Sequence, residues 1–176
     1  MSSSQMGVDR FISNVKEGLA SPNRYTVEFS NPANGKRDDP SISIMCNVAQ
    51  LPGRNIKSYT NNHYYSPKLP LENEFQPITF SFISQIGFPE RKWFEAWQKQ
   101  VIEPDTDMIH FHDDFSGSII ISHLNHETGK PDYKIRLWEA WPLSIGEVGM
   151  GYSMTNETMI QSVTFTYWYW ETLTLA

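Results

Sequence analysis

A period of two recurs along most of this chain. In "RYTVEFS" (24–30), Tyr25, Val27 and Phe29 fall on one side and Thr26, Glu28 and Ser30 on the other. Successive strand side chains point to opposite faces, so the pattern predicts a strand with one face buried and one wet. The same alternation returns in "SISIMCNVAQL" (41–51), with Ile42, Ile44, Cys46 and Val48 on one side, and in "PITFSFISQI" (77–86), with Ile78, Phe80 and Phe82. "SGSIIISHLN", the turn "HETGKP" and "DYKIRLWEAWPLSI" (116–145) predict a long hairpin. "MIQSVTFTYWYWETL" (159–173) supplies a closing strand with Val163, Phe165, Tyr167 and Tyr169 on its inner face. Strands of this kind, joined mainly by turns, imply a mainly β fold: an antiparallel β-sandwich or partly open barrel.

One strong helix interrupts them. "FPERKWFEAWQKQVI" places Trp93, Phe94, Trp97 and Val101 on one stripe, with Pro89 in its first turn and Glu90 near its positive end, so a helix is expected over about 89–102. That aromatic stripe reads as core packing, not a ligand box. "VDRFISNVKEGL" (8–19) predicts a shorter amphipathic helix after a flexible, Ser-rich start at residues 1–7. From Pro52 to Gln76 no period of either kind persists, and a long loop is expected there. Tyr59, Tyr64, Tyr65, Leu69, Leu71 and Phe75 give this loop more apolar surface than water tolerates, so it must pack on something, either its own domain or another subunit.

At 176 residues the chain has length for one well-filled domain, 8–176, after the flexible start. A net charge of −6 argues against an electrostatic grip on nucleic acid. The single Cys46 cannot form an intrachain disulfide, which fits a reducing compartment. No apolar run approaches a membrane span, and "MSSSQMGVDR" lacks the charged and apolar regions of a signal peptide, so a soluble product is expected.

"DMIHFHDDFSGSIIISHLNHETG" (107–129) concentrates His110, His112, Asp113, Asp114, His123 and His126. On a strand, His110 and His112 would share a face and could chelate one ion, with a third ligand from His123 or His126. Metalloenzyme spacings such as H-E-x-x-H are absent, however, and the residues fall where strand ends and turns are expected. The cluster therefore reads as strand and hairpin decoration, with no metal and no other cofactor. Nucleophilic chemistry fares no better: there is no G-x-S-x-G elbow, and Cys46 lies on the apolar face of its predicted strand. "GEVGMG" lacks the Lys and the Ser or Thr of a phosphate loop. No catalytic residue emerges, and an enzyme is not expected.

Two segments carry a family resemblance. "GLASPNRYTVEF" (18–29) resembles the start of the tail tube proteins of contractile-tailed bacteriophages, where Pro-Asn-Arg and an aromatic residue lead into the first strand. "LWEAWPLSIGEVGMGYSMTNETMIQSVTFTYWYW" (137–170) is similar to that family's closing pattern. An aromatic strand ends in Ala-Trp-Pro, then come Tyr-Ser, Thr-Asn-Glu and a last strand running Val-Thr-Phe into Tyr and Trp. The order of elements agrees from about residue 8 onward, and the secretion tube protein Hcp is similar in fold.

The resemblance implies a structural virion protein, assembled in the host cytoplasm, whose homo-hexameric rings stack into the inner tail tube. It implies a barrel shared by the subunits around a lumen that delivers double-stranded DNA without binding it specifically. The partners it implies are a tail sheath, a baseplate tube initiator, a tail terminator and a tape-measure protein, with no membrane. The 52–76 segment matches in position the loop that reaches the neighbouring ring, with Tyr59, Tyr64, Tyr65, Leu69 and Phe75 as expected contacts. Thr26, Glu28 and Ser30 are expected to face the lumen, where an acidic protein would let DNA slide. The alternatives are a tube initiator of the same fold, a type VI secretion tube and, more distantly, a metal-dependent hydrolase using His110, His112 and Asp114. The resemblance gives no role to His110, His112, Asp113 or Asp114.

Overall fold

A computed structural model describes residues 20–31, 40–59, 68–152 and 157–174. The Ser-rich start and the predicted helix at 8–19 lie outside the described residues. Strand β1 (Tyr25–Ser30) follows Pro22 and Asn23, and a short helix α1 (Pro40–Ile44) leads into β2 (Cys46–Val48). After β3 (Asn55–Tyr59), β4 (Leu69–Glu74) and β5 (Ile78–Ile83) comes the main helix α2 (Pro89–Val101). The two-residue strands β6 (Ile102–Glu103) and β7 (Met108–Ile109) and the helical turn α3 (His112–Phe115) then precede β8 (Gly117–Leu124) and β9 (Pro131–Ile145). Strands β10 (Ile160–Thr166) and β11 (Tyr169–Thr172) close the described chain.

Seven of these strands form one antiparallel sheet, in the order β1-β8-β9-β10-β5-β2 with β11 also on β9. The sheet bends over itself because β9, 15 residues long, belongs to both of its leaves. Its first part pairs with β8 and β11, its last part with β10. The corner falls at Glu139, whose φ of 53° is unusual for a residue with a side chain. The β8 partner jumps there from Trp138 to Ala140, so Glu139 is the extra residue of a bulge that turns the strand.

Alternation decides what the two leaves bury. Val27, Phe29, Ile119, Ile121, Ile135 and Leu137 face inward from the first leaf, and Ile78, Phe80, Phe82, Val163 and Phe165 from the second. Phe29 lies at the centre, its ring 5.3 Å from Phe80, 5.5 Å from Phe82 and 5.6 Å from Phe165. Helix α2 closes the open side with Phe94, Trp97 and Val101, while Trp93 is half-buried, so the aromatic stripe is core as its spacing predicts. Trp97 Nε1 donates to the Phe115 carbonyl at 2.8 Å, which satisfies the indole inside the core. Gly117 lies where any Cβ would come within 2.0 Å of the Ser30 carbonyl oxygen, so β8 can run this close to β1 only without a side chain there.

Three sequence expectations change in detail. The stretch 41–51 is strand only over Cys46–Val48. Pro40 opens a helical turn that buries Ile42 and leaves Ile44 75% exposed, where a strand would have put both on one face. The closing strand is two strands: after Tyr167 the chain crosses from the second leaf to the first, and Trp168 N–H donates to the Trp138 carbonyl at 3.0 Å. The 52–76 segment holds a two-stranded antiparallel hairpin, β3 with β4, instead of an irregular loop.

Candidate assembly surfaces

The β3–β4 hairpin forms an arm. Asn55 pairs with Glu74 and Tyr59 with Leu69, with a register shift between Lys57 and Ser58. Every residue of β3 is exposed, and Ile56, Tyr59, Leu69 and Leu71 are each more than half exposed. Across the ribbon Lys57 Nζ reaches Glu72 Oε1 at 2.9 Å and Glu74 Oε1 at 3.5 Å, and the Glu72 bond raises the lysine pKa. Exposed pairs of this kind stabilise little, and a lone two-stranded ribbon is marginal in water. Tyr64 and Tyr65 lie outside the described residues.

The base of the arm is held by aromatic side chains. The Arg54 guanidinium lies 4.6 Å from the Trp170 ring centroid and 5.9 Å from that of Phe75. Trp170 Nε1 donates to the Gly53 carbonyl at 3.2 Å, across 117 positions of sequence. Phe75 is half-buried, its ring 6.1 Å from Tyr167, so it ties the arm to its own domain. Burial raises the Tyr167 pKa, and its buried hydroxyl finds no hydrogen-bond partner among the described residues.

Two sheet margins face each other across an open cleft of about 790 Å³, lined by Tyr25 and Thr26 of β1 and by Ser43, Ile44, Cys46 and Val48. The Tyr25 hydroxyl crosses it to the Cys46 carbonyl at 3.1 Å. Burial pushes the Cys46 thiol up to about 12, against a weaker opposing effect of its contact with the Val48 carbonyl, so it is a protonated, inert group. Beyond that one side-chain bond, the facing margins of β1 and β2 are not paired with each other in the sheet. Such margins are templates for further strands.

The leaves also differ on their outward faces. Thr26, Glu28 and Ser30 do share one face, opposite Ser122, Ile120 and Ser118 of β8. The same face continues into Arg136, Trp138, Tyr169 and Glu171. There the Arg136 guanidinium lies 4.9 Å from the Trp138 centroid, Trp138 stacks on Tyr169 at 6.2 Å, and its Nε1 donates to Glu171 at 2.8 Å. The second leaf turns outward only small hydroxyl side chains at its centre: Thr164 opposite Thr79 and Ser144, and Ser162 opposite Ser81. Thr79 and Thr164 hydroxyls meet at 2.9 Å.

The histidine stretch is dispersed. His110 and His112 do not share a strand, since β7 ends at Ile109 and His112 begins α3. That turn exists to lower Phe115 into the core, which leaves His110, His112, Asp113 and Asp114 exposed. His112 Nε2 lies 3.5 Å from Glu139, and His126 stands in the exposed β8–β9 turn. His123 is engaged at both nitrogens, with Asp132 at 2.6 Å and the Ser21 carbonyl at 3.1 Å. Its pKa is raised chiefly by the Asp132 bond. Among the described residues no three His, Cys, Asp or Glu side chains are placed to hold a metal ion.

The described residues thus form a bent β-sandwich with open margins and an exposed apolar arm. The family model for phage tail tube proteins matches residues 20–173, and the chain belongs to that family: it is a structural tube protein and not an enzyme. No curated protein sequence matches it significantly. Solved structures share the fold at low identity. A chain of the anti-feeding prophage baseplate is 14% identical with a TM-score of 0.64, covering 88% of this chain and 95% of that one. A chain of the sheath–tube complex of an extracellular contractile injection system (PVC) is 14% identical with a TM-score of 0.61, covering 99% of both. A chain of the anti-feeding prophage tube-terminating cap is 16% identical with a TM-score of 0.62, covering 89% and 92%.

Proposed function

We propose that this chain is the ring-forming subunit of a contractile-tail inner tube, part of the virion and assembled in the host cytoplasm. Six copies join their open margins into a barrel around a lumen, rings stack through the arm, and double-stranded DNA passes through without specific binding. The observation that carries this reading is the arm, whose exposed Ile56, Tyr59, Leu69 and Leu71 have no counterpart in a self-sufficient domain. Tyr59 and Leu69, together with Tyr64 and Tyr65, supply the contacts to the adjoining ring, and Phe75 fixes the arm's base. The paired margins would remove the edge hazard that a lone subunit carries. A sheath outside, a tape-measure protein inside, and an initiator and a terminator at the ends complete the assembly.

Two outward faces compete for the channel wall: the first leaf with Thr26, Glu28 and Ser30, and the hydroxyl face of the second. Because a baseplate chain and a cap chain share the fold, an initiator or a terminator is the second reading. Negative-stain images of the purified protein discriminate. A tube subunit gives rings about 80–100 Å wide that stack into long tubes. An initiator or terminator gives rings that do not elongate alone, and a protein that stays monomeric at high concentration removes both readings.

A further inference from the structure

The hydroxyl face of the second leaf has no titratable side chain anywhere along its paired rows. Its centre is Ser81, Thr79, Ser162, Thr164 and Ser144, with Thr166 beside Trp141 at one end and Ile83 beside Ile160 at the other. All five central side chains are short, so the wall they make lies close to the backbone and is smooth on the scale of a water molecule. The Thr79 and Thr164 hydroxyls meet each other, and a hydroxyl can both donate to and accept from water. The opposite face of the sandwich is chemically unlike it. There Lys134, Arg136, Glu28 and Glu171 share the outward face with Trp138 and Tyr169, and Ser122 is only 2% exposed, so that face is charged and partly covered already.

We infer that the Ser/Thr face of β5, β10 and the end of β9 lines the channel, and that the Arg136–Trp138 face forms the outer wall of the tube. This rests on the tube reading above. Duplex DNA carries roughly one negative charge per 1.7 Å of its axis, and each lysine or arginine that touches it adds salt-sensitive retention. A wall repeating Lys134 and Arg136 in every copy of every ring, with Glu28 and Glu171 among them, would alternately grip and repel DNA that has to move. A neutral hydroxyl wall exchanges hydrogen bonds with the hydration layer and holds nothing. Aromatic residues with arginine are, in contrast, the composition favoured at protein–protein interfaces, which suits a face turned to an enclosing sheath. Chain connection agrees: the arm springs from β2 and β5, both in the second leaf. The leaf assigned to the lumen is thereby the one that carries the arm.

Helical reconstruction of tubes formed by the wild-type protein tests this without any substitution. Thr79, Ser162 and Thr164 are expected at the channel surface, with Lys134 and Arg136 on the outside. A second measurement uses tubes on a Cys46→Ser background carrying Thr164→Cys or Lys134→Cys, treated with maleimide attached to a polymer too wide for the channel. The Lys134→Cys tubes should label at least about tenfold faster than the Thr164→Cys tubes, because thiol reactivity follows access. Both should label with the same reagent once dissociated. Lys134 and Arg136 in the channel wall, or bulky labelling of intact Thr164→Cys tubes at the faster rate, would overturn the inference and leave the tube reading standing. Wild-type protein that forms no tubes removes the tube reading and the inference together.

Discussion

Strands β5 and β3 begin 23 positions apart and behave as opposites. In β5 every second residue is buried, and Phe80 and Phe82 are wholly enclosed. In β3 all five residues are exposed, although Ile56 is as apolar as anything in the core and Tyr59 carries a large aromatic ring. Strand β5 is paired on both sides, with β10 and β2, and β3 only with β4, but pairing within a sheet does not by itself bury a side chain. What differs is a second layer: β5 has the first leaf and helix α2 over it, and the arm has nothing of its own. A strand is held by what covers it, and the arm's cover has to come from another molecule.

The largest test of that contrast strikes the sandwich. Phe165 is fully buried and sits 5.6–5.8 Å from the rings of Phe29, Phe80, Phe94 and Trp97. Phe165→Ala should cost about 3–5 kcal/mol in urea unfolding of the unassembled subunit, from lost burial plus the cavity left behind. Rings and tubes should disappear with the fold. Little loss would mean that the two leaves are not closed on this cluster.

A smaller effect is expected where sandwich and arm meet. Trp170→Ala removes the ring under Arg54 and the bond to the Gly53 carbonyl. About 1–2 kcal/mol should be lost, the sum of one cation–π contact and one hydrogen bond. The informative reading is geometric: rings should still form, while stacking weakens because the arm is no longer aimed. Tubes of normal length and unchanged subunit twist would show that the arm finds its direction from its neighbour.

The arm itself should barely matter to the fold. Deleting 57–70, or combining Ile56→Asp with Leu71→Asp, should change subunit stability by no more than about 0.5 kcal/mol, since the described side chains of this stretch, Ile56, Tyr59, Leu69 and Leu71 among them, are exposed in the lone chain. The same changes should abolish long tubes in electron micrographs. Variants that still build long tubes would break the contrast drawn above, by showing that the apolar arm needs no partner.

How much of this could be read from the residues follows the same division. The alternation in Val27–Phe29, Ile78–Phe82 and Val163–Phe165 was legible because burial on one face of a strand writes itself into every second position. Helix α2 was legible for the matching reason at its own period. The bend at Glu139 and the crossing after Tyr167 left no such mark, since a corner is set by which leaf the next strand joins. The arm was seen as apolar surface without a period, because a ribbon exposed on both faces has no reason to alternate. The Arg54–Trp170 clamp and the hydroxyl face were illegible for another reason. Each is assembled from residues far apart in sequence, and the closing family pattern marks Trp170 only as an aromatic.

The smallest expected effect lies at the sandwich rim, where His123 holds the segment that enters β1. Its two nitrogens meet Asp132 and the Ser21 carbonyl, both acceptors, so only the doubly protonated ring can donate to both. The other polar neighbours in register are Tyr25 on β1 and Tyr133 on β9, with Arg24 and Lys134 adjacent in sequence. A pKa raised above 6.5 makes the stabilisation complete at pH values below the unfolded-state value. It is then lost as pH rises through the higher folded-state value. NMR titration should place His123 above ordinary histidines and return it toward them in Asp132→Asn. The stability gap between wild type and His123→Gln should be widest in mild acid and shrink as the solution becomes alkaline. A gap that widens with pH would mean that the neutral ring is the one the rim is built around. His123 would then count with the self-sufficient sandwich at every pH, and the point where the chain enters β1 would carry no trace of the arm's dependence on its surroundings.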